Sequence, residues 1–156
     1  MAWIFNSIIQ VLKAPETLYI VSIFAVVIVL TIISIASNWA ILRKAGMPGW
    51  VAIVPLVNIC AEYEICWYKE LGVLYNVLAF IYSVTAMNAE DQILGGQAEI
   101  AGFVLLFIMA VLEAVKCYKI SKAFGHGLGF AVGLALLPMI FDPILGFGKS
   151  KYIGKQ

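Results

Sequence analysis

The sequence predicts an all-α integral membrane protein with three clear transmembrane helices and two further apolar segments broken by proline and glycine. Three observations lead there. Of the 156 residues, 63% are hydrophobic and 12% charged, whereas a soluble domain is about half apolar and about a quarter charged. A soluble fold of this length has too little interior to hide that much apolar surface. The apolar residues also fall in runs long enough to cross a bilayer, and two of those runs carry prolines in corresponding places.

The chain reads as one membrane domain over 1–156, with no room for a soluble catalytic domain. Its formal net charge of +1 gives no support for a nucleic-acid partner. In residues 1–14, Ile4, Phe5, Ile8, Ile9 and Leu12 share one helical face, with Asn6, Gln10 and Lys13 opposite. That pattern predicts a helix lying in the membrane interface. No basic start or small-residue cleavage site marks a signal peptide. Pro15 forces a helix start or kink.

The first span is 17–42. It contains no charge, and as a helix it reaches ~39 Å against ~30 Å of hydrocarbon. Arg43 and Lys44 stop it. The segment 48–66 starts from Gly46, Pro48 and Gly49 and is interrupted by Pro55. It then carries Asn58, Glu62 and Glu64, each costly against lipid. The second span is 71–89, followed by the acidic Glu90-Asp91 turn. The third is 98–118, with Glu113 near its end and Lys116, Lys119 and Lys122 behind it. The segment 128–147 is apolar again, broken by Pro138 and by Asp142-Pro143.

Basic residues collect on the cytoplasmic side of a membrane protein. If both broken segments cross fully, the basic residues divide evenly between the two sides. If both return to the side they left, Arg43, Lys44, Lys69, Lys116, Lys119, Lys122, Lys149, Lys151 and Lys155 share one side and only Lys13 stands opposite. The aromatic anchors Trp39, Trp50, Trp67, Tyr68, Tyr118 and Tyr152 cluster at the same boundary. The expectation is therefore three spans, two re-entrant or interfacial segments and a cytoplasmic carboxyl end; four or five spans is the alternative.

The two broken segments echo each other. Lys44-Ala45-Gly46 precedes Gly49-Trp50-Val51-Ala52 and Pro55; Lys122-Ala123-Phe124-Gly125 precedes Gly129-Phe130-Ala131-Val132 and Pro138. Paired interrupted segments point to membrane binding sites, because broken helices free backbone groups that hold ions or polar groups. The backbone-breaking residues are Pro48, Pro55, Pro138 and Pro143. The candidate binding residues are Asn58, Glu62, Glu113, Lys116 and Asp142. Glu113 and Lys116 are three apart and share a helical face. Gly125, Gly129 and Gly133, spaced by four, form a ridge for close helix packing.

Other chemistry is not indicated. Cys60, Cys66 and Cys117 have neither disulfide-framework nor metal spacing, so apolar packing is their expected role. His126 lies in a glycine-rich loop. Ser121, Lys122 and His126 match no catalytic motif, and the nearby glycines lack the G-K-[ST] end of a phosphate loop. No metal or cofactor is expected.

The motif Lys44-Ala45-Gly46-x-Pro48-Gly49-Trp50-x-Ala52-x-x-Pro55-x-x-Asn58 resembles a family of small bacterial multi-pass membrane proteins of unknown function. So do Lys122-Ala123-Phe124-Gly125-x-Gly127 and the stretch from Pro138 through Pro143-Ile144-Leu145-Gly146-Phe147-Gly148. Similar membrane segments precede the catalytic domain of some bacterial signal peptidase I enzymes. The resemblance covers about 17–153. It departs from the family pattern at Val57, where a tyrosine is usual, and in a longer loop at Met87–Glu99. It implies a bacterial inner-membrane location and no peptidase activity, because that chemistry needs a Ser–Lys pair in an extracytoplasmic domain. The expected function is a non-enzymatic module acting in the bilayer as a homo-oligomer or within a larger membrane complex. The alternative is a small channel or transporter subunit, with Glu62, Glu113 and Asp142 along its path.

Overall fold

The computed structural model describes residues 15–87 and 95–155. The expected interfacial helix at 1–14, with Lys13, and the Glu90-Asp91 turn lie outside these residues. The described residues are mainly helical and contain no strand: α1 (Pro15–Lys44), a 3-10 turn (Gly49–Ile53), α2 (Pro55–Cys66), α3 (Lys69–Met87), α4 (Gly95–Ala123), α5 (Leu128–Leu136) and α6 (Pro138–Phe147).

Three helices, α1, α3 and α4, are long and apolar enough to cross a membrane. Each begins ahead of the apolar run read from sequence, and α1 and α4 also continue past it into their basic ends. Lysine and arginine are good helix formers and complement the negative carboxyl end of a helix. Within α1 two hydroxyls bond back along their own helix: Thr31 Oγ1 donates to the Val27 carbonyl at 2.8 Å and Ser37 Oγ to that of Ile33 at 2.7 Å. These two need no outside partner. In contrast, α2, α5 and α6 have 12, 9 and 10 residues. At 1.5 Å per residue none exceeds ~18 Å, well short of the hydrocarbon thickness.

The repeated layout seen in the sequence is repeated in the backbone. Both α1 and α4 end on a left-handed glycine, Gly46 with φ 82° and Gly125 with φ 76°. In each case the next amide reaches back five residues, Met47 N–H to the Leu42 carbonyl (2.9 Å) and His126 N–H to that of Ser121 (2.8 Å). This is the glycine-dependent cap that ends many helices. Gly125 is therefore a turn residue and not part of a helical glycine ridge, which corrects the expectation. Gly133 alone of the three makes a close approach: a Cβ there would stand 2.4 Å from the Phe141 ring, whereas Gly129 faces open space.

A second correction concerns Pro143. It lies inside α6 and does not break it. Proline in a helix removes one amide and crowds the carbonyl four residues back; here that carbonyl is Met139, in the first turn, and the helix continues to Phe147. The break in 128–147 falls at Leu137, which ends α5 with φ −135° and ψ 56° and leads into Pro138 at the first turn of α6.

Packing closes a ring of neighbours. α6 lies along α1, α5 on α4 and on α6, α2 on α3 and α4, and the 3-10 turn against α1. Two glycines meet the backbone of a neighbouring helix too closely for any side chain. A Cβ on Gly146 would sit 2.7 Å from the Ser37 carbonyl oxygen of α1, and one on Gly72 would sit 2.6 Å from the Cys60 Cα of α2. The core is gathered at one end: Leu42, Val51, Ala61, Cys66, Phe124, Leu134 and Leu145 are buried there, while α1 is exposed on every face from Leu18 to Val29.

The tail ties that end together. Lys44 Nζ donates to the carbonyls of Leu145 (2.6 Å) and Gly148 (2.8 Å), capping α6. Tyr152 OH donates to the Ile65 carbonyl at 2.7 Å, and Ile153 N–H to that of Ala123 at 2.8 Å. The carboxyl ends of α1, α2 and α4 thus meet one short stretch, so each broken segment starts and finishes at the same end of the bundle. A lysine on the last carbonyls of a helix is a favourable charge–dipole contact. Lys44→Met should lower stability by about 1 kcal/mol, measurable as a fall in thermal midpoint in detergent; an unchanged midpoint would show that the cap is idle.

Candidate functional site

The packed end encloses a polar cavity lined by Asn38, Glu62, Glu113, Lys116, Cys117 and Asp142 among apolar residues. Four helices deliver these groups. Helical spacing places Glu113 and Lys116 on one face of α4, and Nζ lies 2.8 Å from Glu113 Oε1. Packing of α2 on α4 brings Glu62 Oε2 to 2.7 Å from the same ammonium. One turn earlier on α2, Asn58 Nδ2 donates to the other Glu62 oxygen at 3.1 Å. α6 supplies Asp142, and α1 supplies Asn38.

Lys116 is only 8% exposed, so it is not a lysine reaching for the membrane surface. It is the hub of the cavity, held between two carboxylates and placed over the Tyr63 ring at 5.7 Å. Tyr63 is fully buried, and its hydroxyl, like Asn58 Oδ1, has no partner among the described residues. Asp142 shares the cavity without an ion pair or side-chain hydrogen bond among the described residues. Burial, and then the nearby Glu62 charge, push its carboxyl up to about 7, against the opposing pull of Lys116. Three acidic groups thus face one base. Such a cavity favours uptake of positive charge; among the described residues no set of three His, Cys, Asp or Glu side chains is placed to hold a metal ion.

All five candidate binding residues are brought within this one region. The cross-helix Glu62–Lys116 pair joins residues 54 apart in sequence, and no local spacing announces it. Sequence reasoning placed His126 in a glycine-rich loop and missed its contact with Ser150, His126 Nε2 lying 2.7 Å from Ser150 Oγ. His126 stacks on Phe130, with ring centroids 4.1 Å apart, and the described residues place no carboxylate on the ring. The pair therefore reads as a latch for the tail. A nucleophile needs its base to be held in turn by a third group. Ser121 Oγ donates to the Gly127 carbonyl at 2.8 Å and so shapes the turn after α4.

Residues 50–155, which contain the charge cluster and every element from α2 onward, match the family of unknown function DUF5684. No curated protein and no solved structure matches the chain.

Proposed function

The chain belongs to the DUF5684 family, which brings no activity with it, and we propose that it works by association, as a non-enzymatic integral membrane protein in a homo-oligomer or a larger membrane complex. The observation that carries this reading is the uncovered break between α5 and α6. Leu136, Leu137, Pro138, Met139 and Ile140 are exposed in succession, at a point where the helical hydrogen-bond ladder is interrupted. Irregular backbone at membrane depth is tolerated where protein covers it, and a neighbouring subunit supplies that cover.

In this reading 48–66 and 128–147 are re-entrant, and the packed end faces the cytoplasm of a bacterial cell, where Arg43, Lys44, Lys69 and the tail lysines lie.

The test is the mass of the protein by light scattering, corrected for bound detergent, after mild extraction. The expected result is more than one copy per particle, reduced by Leu137→Trp, which crowds the proposed contact. A monodisperse single chain after extraction in native lipid, with no membrane protein co-purifying at native expression, would remove this reading.

A further inference from the structure

We propose that the polar cavity is a proton-binding site: Asp142 takes up and releases the proton, and the seating of α6 against α1 is the event it controls. This inference does not rest on the association proposed above.

The geometry sets the charges. Facing Asp142 are Glu62 from α2 and Glu113, Lys116 and Cys117 from α4. From α1 the cavity receives Asn38 and Ile41, and from α5 Leu134, none of which titrates. Lys44 of α1 is engaged at the far end of α6 by the Leu145 and Gly148 carbonyls. The ammonium of Lys116 is already shared by Glu62 at 2.7 Å and Glu113 at 2.8 Å. An ionised Asp142 is then a third negative charge in a cavity whose one ammonium is already engaged by two carboxylates. Transfer of a proton from hydronium to the Asp142 carboxylate removes that charge, releases water, and gives the cavity an O–H donor beside carboxylate acceptors. Asn38 adds an uncharged polar side chain to the cavity lining, and the buried Tyr63, whose hydroxyl has no partner among the described residues, holds its ring centroid 5.7 Å from the same ammonium.

The mechanical side follows from the break at Leu137. α6 is joined to α5 through a non-helical residue and Pro138, so it can shift as a short unit. Its main neighbour is α1, and Asp142 is its only titratable residue. Burial and the neighbouring Glu62 charge push the folded carboxyl up to about 7, above the ~3.9 of a free aspartate. Proton uptake therefore favours the seated form: this stabilisation is complete below about pH 4 and is lost as pH rises through about 7.

Infrared difference spectra of the full chain in lipid nanodiscs, taken from about pH 5 to about pH 9, test the site directly. The expected result is one protonated-carboxyl band that disappears with a midpoint near 7 and is absent from Asp142→Asn. Amide exchange in α6, corrected for its intrinsic pH dependence, should accelerate above the same midpoint in the wild type and stay slow in Asp142→Asn. No titrating band, a band that survives the substitution, or α6 exchange indifferent to pH would each overturn the proposal. So would a midpoint that moves with sodium at constant ionic strength, since the cavity would then belong to a metal cation. Should Asp142→Asn fail to fold, the wild-type titration and a shifted band in Asp142→Glu decide the matter.

Discussion

Lys116→Met is expected to be among the most destabilising single changes in the protein. It removes the ammonium that neutralises Glu62 and Glu113 and leaves two carboxylates together in a cavity with no other base. Removing one partner of a buried ion pair typically costs about 3–5 kcal/mol, because the remaining charge stays desolvated and uncompensated. The Glu113 side chain is 39% exposed against 13% for Glu62, so water relieves Glu113 in part and the lower end, about 3 kcal/mol, is expected. The control separates lost charge balance from lost packing. Adding Glu62→Gln to Lys116→Met should restore more than half of the loss, since the more buried carboxylate is then neutral. Unfolding in mixed detergent micelles measures both. Equal stability of the single and double variants would mean that the ion pairs do not hold α2 to α4.

The second large effect is steric. Gly146→Val and Gly72→Val place side chains where the backbones of α1 and α2 already stand, 2.7 Å from the Ser37 oxygen and 2.6 Å from the Cys60 Cα. Backbone cannot rotate aside as a side chain can, so the helices must separate. Overpacking of this kind costs about 1–3 kcal/mol, and valine should reach the upper part of that range. Gly129→Ala is the matched control: its Cβ meets nothing within 4 Å, and alanine is the better helix former by up to about 1 kcal/mol. Thermal midpoints in one detergent should therefore fall for the first two variants and hold or rise for the third. A tolerated Gly146→Val would show that α6 does not lie against α1 as described.

The three apolar helices were legible because they depend on composition and length. A charge-free run such as 17–42 has one stable use, and Arg43-Lys44 marks its end. The Glu113–Lys116 pair was legible because three-residue spacing on a helix is a local fact. Glu62 joining them was not, since that contact depends on how α2 packs on α4. The glycines show the same divide. Their four-residue spacing suggested a ridge, but spacing carries no information about which glycine takes a left-handed turn, and Gly125 does. Pro143 was read as a break because proline usually is one; it forfeits a single amide bond, the carbonyl it crowds is Met139 in the first turn of α6, and the helix runs on. The burial of Lys116 was equally hidden, because a lysine near the end of a span more often extends toward water.

The contact between Lys44 and the end of α6 has a consequence for biogenesis. Its two partners are separated by 101 residues at Leu145 and 104 at Gly148. During synthesis α1 emerges early and waits in the bilayer without its principal companion while the intervening helices are inserted. Assembly of the packed end is therefore a late, non-local step, and such pairings form slowly. Any chaperone or insertase that shields α1 during that interval would act before the ribosome has finished α6.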